Sequence, residues 1–151
     1  MAVEQVSDAQ VAPEDRFDYF WSQRGEWVEE PNVRRGGESG VQRIHAPGGQ
    51  LLYAKRQTGH IYRSWLHPFG RPTVLRELDA LTGLHKLNVR VPEIVFCGAQ
   101  RDPVHQWRAL LVTKSLDGFI EIEDWYASGG RERHGEAVHD RILKDLADNL
   151  A

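Results

Sequence analysis

The chain has little sulfur: one cysteine, Cys97, and one methionine among 151 residues. A single cysteine excludes an intrachain disulfide framework and a cysteine-ligated zinc site, and it suits a reducing, cytoplasmic setting. Long hydrophobic runs are missing too, and none approaches the ~20 residues that cross a bilayer. The opening stretch has neither a basic start nor an apolar core, so it does not read as a secretory signal. Low complexity and internal repeats are absent. A hydrophobic fraction of 40% with 27% charged residues fits a folded globular chain.

The net charge of −3 hides an uneven distribution. Residues 1–32 carry two basic and eight acidic groups, and residues 91–151 carry seven and eleven. Between them, residues 33–90 hold ten basic groups against three acidic ones. Such an island attracts phosphates or anionic headgroups, or it pairs with acidic segments of its own chain.

Residues 1–16 are polar and aperiodic and read as a flexible leader. An aromatic cluster follows, with Phe17, Tyr19, Phe20, Trp21 and Trp27, suited to packing on an apolar surface. VQRIH and LLYAKRQ have strand character, and the Pro47-Gly48-Gly49 turn between them predicts an antiparallel hairpin. Alternation puts Leu51, Tyr53 and Lys55 on one face, Leu52 and Ala54 on the other. Residues 56–71 mix aromatics, basic groups and breakers, and read as a loop. PTVLRELDALTGLHKL carries apolar residues at three- and four-residue spacing and reads as a helix opened by Pro72. Two strands follow, near Glu93–Cys97 and Arg108–Thr113; the second is almost wholly apolar, hence interior. A short helix is expected in DGFIEIEDWYASGG and one final helix over RERHGEAVHDRILKDLADNLA.

Three features carry chemistry. RRGGESGV is a glycine-rich stretch between strands, able to bring backbone N–H groups to phosphate oxygens or simply to turn the chain. Lys55 ends a strand, where it either faces solvent or meets an anion. Glu77 lies near the inward side of the next helix, within reach of Lys55 or of Arg76 and Lys86 at the surface. Their order, followed by two strands and a linker, resembles the small lobe of protein kinases. The resemblance implies that Gly36, Gly37, Ser39, Gly40 and Val41 cover phosphates. It implies that Ala54 packs on adenine, as in a V-A-I-K strand, and that Lys55 holds phosphates while paired with Glu77. It makes Thr113, Lys114 and Leu116 the hinge that holds the base.

Taken together, RRGGESGVQRI, LLYAKRQ with His60, RPTVLRELDALTGL, VPEIVFCG and ALLVTKSLDG resemble the lipopolysaccharide kinase family, the relatives of Kdo and heptose kinases that include InaA-type proteins. The implied fold is α+β. A kinase-like N-terminal lobe, an antiparallel sheet with one long helix over residues 17–113, leads into a hinge and the first helices of a second lobe over 114–151. The implied function is phosphoryl transfer from ATP, with Mg, to a sugar hydroxyl of the lipopolysaccharide core. The implied partners are an anionic glycolipid and the periphery of the inner membrane. Basic groups interleaved with Tyr53, Tyr62 and Trp65 could stack on bases, but no nucleic-acid motif accompanies them, so no nucleic acid is expected.

A kinase also needs a catalytic aspartate and metal ligands after the hinge. His134-Gly135-Glu136 and His139-Asp140 resemble such motifs only superficially, since they fall within a helical apolar pattern. No catalytic residue and no metal ligand is therefore assigned. The chain reads as a fragment or natural truncation that retains the nucleotide-binding lobe, with Val138, Ile142, Leu146 and Leu150 partly uncovered and prone to self-association. The alternative is a pseudokinase-like, non-enzymatic module that binds anionic lipid or sugar-phosphate.

Overall fold

The computed structural model describes residues 12, 15–34, 36–46 and 48–150. The leader expected over residues 1–16 falls almost wholly outside them, as do Arg35 and Pro47. Two compact units divide after Ser115. The first holds α1 (Arg16–Ser22), β1 (Glu26–Arg34), β2 (Gly37–His45), β3 (Leu51–Thr58), β4 (Ile61–Ser64), β5 (His67–Pro72), α2 (Thr73–Lys86), β6 (Ile94–Arg101) and β7 (Trp107–Lys114). The second holds α3 (Ile122–Ala127), α4 (Gly130–His134) and α5 (Glu136–Leu150).

Five antiparallel strands form one sheet in the order β1-β2-β3-β7-β6, giving the α+β architecture that the sequence implies. Interior β7 is apolar without a break from Ala109 to Val112 because both of its faces are covered. Leu110 and Val112 join Ile44, Leu52, Ala54 and the α1 residues Phe17 and Phe20 in one cluster. Ala109 and Leu111 join Val74 of α2 in another. The sheet is thus held between α1 and α2. Edge strand β1 is exposed along its whole length and is interrupted by Pro31 and two register shifts, features that discourage further strand pairing.

Three sequence expectations are corrected. Residues 56–71 are not a loop: β3 continues to Thr58, and β4 and β5 form a separate antiparallel hairpin. The final helix is not continuous either. Gly135 takes a φ of +79°, which ends α4 and starts α5 anew. The glycine-rich stretch also differs from expectation, because β1 runs to Arg34 and β2 begins at Gly37, so most of its glycines lie within a strand. In the second unit, Trp125 packs against Gly130 so closely that a Cβ there would lie 2.4 Å from the indole. Val138 and Ile142 are half-buried, whereas Leu143 and Leu146 are exposed.

Candidate functional site

The consecutive residues Lys55, Arg56 and Gln57 tie the sheet to both helices. Alternation points Lys55 and Gln57 toward α2 and Arg56 toward α1. Lys55 Nζ donates to Glu77 Oε2 at 2.7 Å, and both side chains keep some exposure. Gln57 Oε1 accepts from the Val74 N–H at 2.9 Å and from Thr73 Oγ1 at 3.0 Å, satisfying the opening turn of α2. Its Nε2 lies 3.3 Å from Ser39 Oγ, and His60 Nδ1 lies 2.7 Å from Thr73 Oγ1. This network fixes the start of α2 one turn before Glu77, which aims the carboxylate at Lys55.

Arg56 does the corresponding work on the other face. It is buried, and its guanidinium donates to the carbonyls of Phe20, Trp21 and Gln23 at the end of α1. It also lies 5.4 Å from the Trp21 ring centroid. Burial, helped by Arg24, pulls its pKa down to about 10, so the group stays charged at neutral pH.

Pairing across the sheet sets Val41, Lys55, Leu111 and Cys97 in one row on the α2 side. Arg43, Tyr53, Thr113 and Ile94 form the adjacent row. Burial, with Glu77 nearby, pushes the Cys97 thiol up to about 11, so the row carries Lys55 as its cation and a neutral thiol. A cavity of about 420 Å³ opens beside Glu77, walled by Arg34, His60, Thr73 and Arg76 as well.

A family model for the lipopolysaccharide kinase (Kdo/WaaP) family matches residues 18–151. The chain belongs to that family. Protein InaA of Escherichia coli (strain K12) is 45% identical over 133 residues, which is 88% of this chain. The matched chain spans 61% of the length of that relative. No solved structure gives a significant match.

Within this lipopolysaccharide kinase family member, the residues expected at the site do not all gather. Lys55, Glu77, Val41, Ser39 and Thr113 share the α2 side. Ala54 does not: it is fully buried in the α1 cluster, one residue out of phase with Lys55. The residue two before Lys55 is Tyr53, so the role given to Ala54 by its resemblance to V-A-I-K is corrected by the alternation of the strand. Gly40 also faces α1, lining a smaller cavity of about 250 Å³ with Trp21, Arg24, Trp27 and Arg56. A Cβ at Gly40 would meet Trp27, Glu29 and Pro31 at about 3 Å, and one at Gly37 would lie 2.3 Å from the Gly59 backbone. Both glycines are therefore required by the chain's own packing. Gly36 differs, with φ +75° and open space where a Cβ would lie.

At the end of β7, the Lys114 N–H donates to Glu93 O at 2.9 Å and the Ser115 N–H to Leu51 O at 3.1 Å. Lys114 Nζ pairs with Glu93 at 2.7 Å. Leu116 belongs to the second unit, where its carbonyl accepts from the Phe119 N–H. Much of the expected hinge is thus engaged within the chain. His134 and Gly135 end α4, and Glu136, His139 and Asp140 lie on α5. Glu136, His139 and Asp140 are the group among the described residues whose possible ligand atoms cluster within 4.8 Å. Among the described residues, no such group surrounds Lys55. Sequence reasoning placed Tyr53 on the Lys55 face without giving it a role, and it missed Gln57 and Thr73, whose contacts depend on where α2 begins.

Proposed function

We propose that the first unit is the nucleotide-binding lobe of an ATP-dependent phosphotransferase whose acceptor is a sugar hydroxyl of the lipopolysaccharide core. The observation that carries this reading is the Lys55–Glu77 ion pair at 2.7 Å, joining the third strand of the sheet to its packed helix. In such a lobe the carboxylate holds the lysine extended, and the ammonium meets phosphate oxygens as a fixed cation. Tyr53, Val41 and Thr113, on the same side of the sheet, supply surface for a base. Arg34 and Arg76 add positive charge to the cavity next to Glu77. ATP, when bound, supplies the phosphoryl group. The catalytic aspartate and metal ligands are not assigned to residues of this chain, and no step is routed through a metal here. The anionic acceptor places the working protein at the inner face of a membrane.

Thermal shift with Mg-ATP tests the reading. The wild-type chain should melt higher with nucleotide, and Lys55→Ala should lose most of that shift. Without nucleotide the variant should lie within about 1 kcal/mol of wild type, because the pair is partly exposed. A folded wild-type chain that shows no shift would sink the proposal.

A further inference from the structure

We propose that the β4–β5 hairpin is a membrane-contact element whose tip enters the headgroup layer of an anionic bilayer. Ser64 pairs with His67, so Trp65 and Leu66 are the two residues of the turn. Both lie open to solvent, at 101% and 87% exposure, and Phe69 on the returning strand is 86% exposed. Among the described residues, almost nothing covers any of the three. Two-residue hairpin turns favour Asn-Gly and similar pairs with positive φ. Among the described residues, positive φ outside glycine occurs only at Asn88 and His105. Trp65-Leu66 therefore serves neither turn geometry nor the core, and the pair is left for something outside the chain.

The choice of occupant follows from composition and charge. An open tip of tryptophan, leucine and phenylalanine has the composition of side chains that settle in a bilayer interface, where an amphipathic aromatic ring sits at headgroup depth. From Gly59 to Pro72 the sequence holds Arg63 and Arg71 and no acidic residue. Arg71 is bound by Asp79 of α2, leaving Arg63 exposed beside the tip and suited to an anionic headgroup. Arg34, Lys86 and Arg90 are further exposed cations of the same basic island. Selecting a bilayer rather than a soluble partner also rests on the glycolipid acceptor proposed above.

Co-sedimentation of the full chain with phosphatidylcholine vesicles containing about 30% phosphatidylglycerol tests the proposal. The wild type should bind, less tightly to vesicles of phosphatidylcholine alone. The variant Trp65→Ser/Leu66→Ser/Phe69→Ser should lose at least about tenfold in partitioning, and Arg63→Ser should lose binding on the anionic vesicles. The melting temperature and Mg-ATP shift of both variants should stay at wild-type values, which separates this inference from the nucleotide reading. A wild type that ignores both vesicles, or a triple variant that binds as wild type does, overturns it. So does a triple variant that only converts a dimer to a monomer in sedimentation velocity, since the occupant is then a second copy of the chain.

Discussion

The two faces of the five-stranded sheet are built differently. Against α1 lies a thick layer of large rings: Phe17 stacks on Trp21 at 5.5 Å and Phe20 on Phe96 at 5.3 Å, over Ile44, Leu52 and Leu110. Against α2 the buried layer is thin, with Val74, Ala109 and Leu111. The polar groups follow the same division. Arg56, on the thick side, is buried, and both terminal nitrogens of its guanidinium donate to backbone carbonyls. Lys55, on the thin side, keeps partial exposure and pairs with the Glu77 carboxylate, so its ammonium stays within reach of solvent. One face carries stability and the other retains accessible charge, and neighbouring residues of β3 serve each in turn.

If that division holds, the largest effect on folding comes from the dry side. Arg56→Met keeps the apolar stem of the side chain and removes the guanidinium, leaving the α1 carbonyls of Phe20, Trp21 and Gln23 without their donors. The loss should be about 3 kcal/mol, read by urea denaturation. The Mg-ATP shift of the remaining folded protein should be preserved. A loss below about 0.5 kcal/mol would show that water replaces the guanidinium freely, and the two faces would then be less distinct than their geometry.

A sharper comparison uses adjacent residues. Ala54→Leu forces extra volume into the packed α1 cluster and should cost about 1–2 kcal/mol while leaving nucleotide binding intact. Tyr53→Ala removes a partly exposed ring on the Lys55 side and should weaken the Mg-ATP shift with a smaller loss of stability. If Ala54→Leu instead abolished nucleotide binding in a folded protein, the assignment of faces would be wrong.

This pair also shows what the sequence could and could not reveal. Alternation in LLYAK and periodicity in TVLRELDAL are direct records of burial, so β3, α2 and the approach of Glu77 to Lys55 were legible. The same alternation separates Ala54 from Lys55, and a motif resemblance of the wrong spacing overrode it. The β4–β5 hairpin was hidden because its turn is Trp65-Leu66, and because Pro68 and Gly70 interrupt its second strand as loop residues would. Such residues are tolerated where a strand pairs on one side only. Gly135 was hidden for the opposite reason: the apolar spacing of α5 continues smoothly through its neighbourhood, and only the backbone torsion reveals the break. Gln57 and Thr73 left no periodic trace, since their role is to satisfy N–H groups at a helix start whose position had first to be known.

The smallest effect concerns Cys97, which lies in the Lys55 row yet behaves as part of the thin core. Burial and the Glu77 charge both favour the neutral thiol and push its pKa up to about 11, from an ordinary value near 9. Iodoacetamide should therefore react slowly with the folded chain at pH 8, with half-maximal reactivity near pH 11. The folded state holds its proton more tightly than the unfolded chain does. The resulting stability is fully present below pH 9 and is lost as pH rises toward 11. In Glu77→Gln the carboxylate charge is gone while burial remains, so the reactivity profile should move to lower pH without returning to an unperturbed thiol. A profile already centred near pH 9 in the wild type would mean that water reaches the α2 side freely at Cys97. The thin layer would then be a solvated surface, and the contrast between the two faces would extend down to the sheet itself.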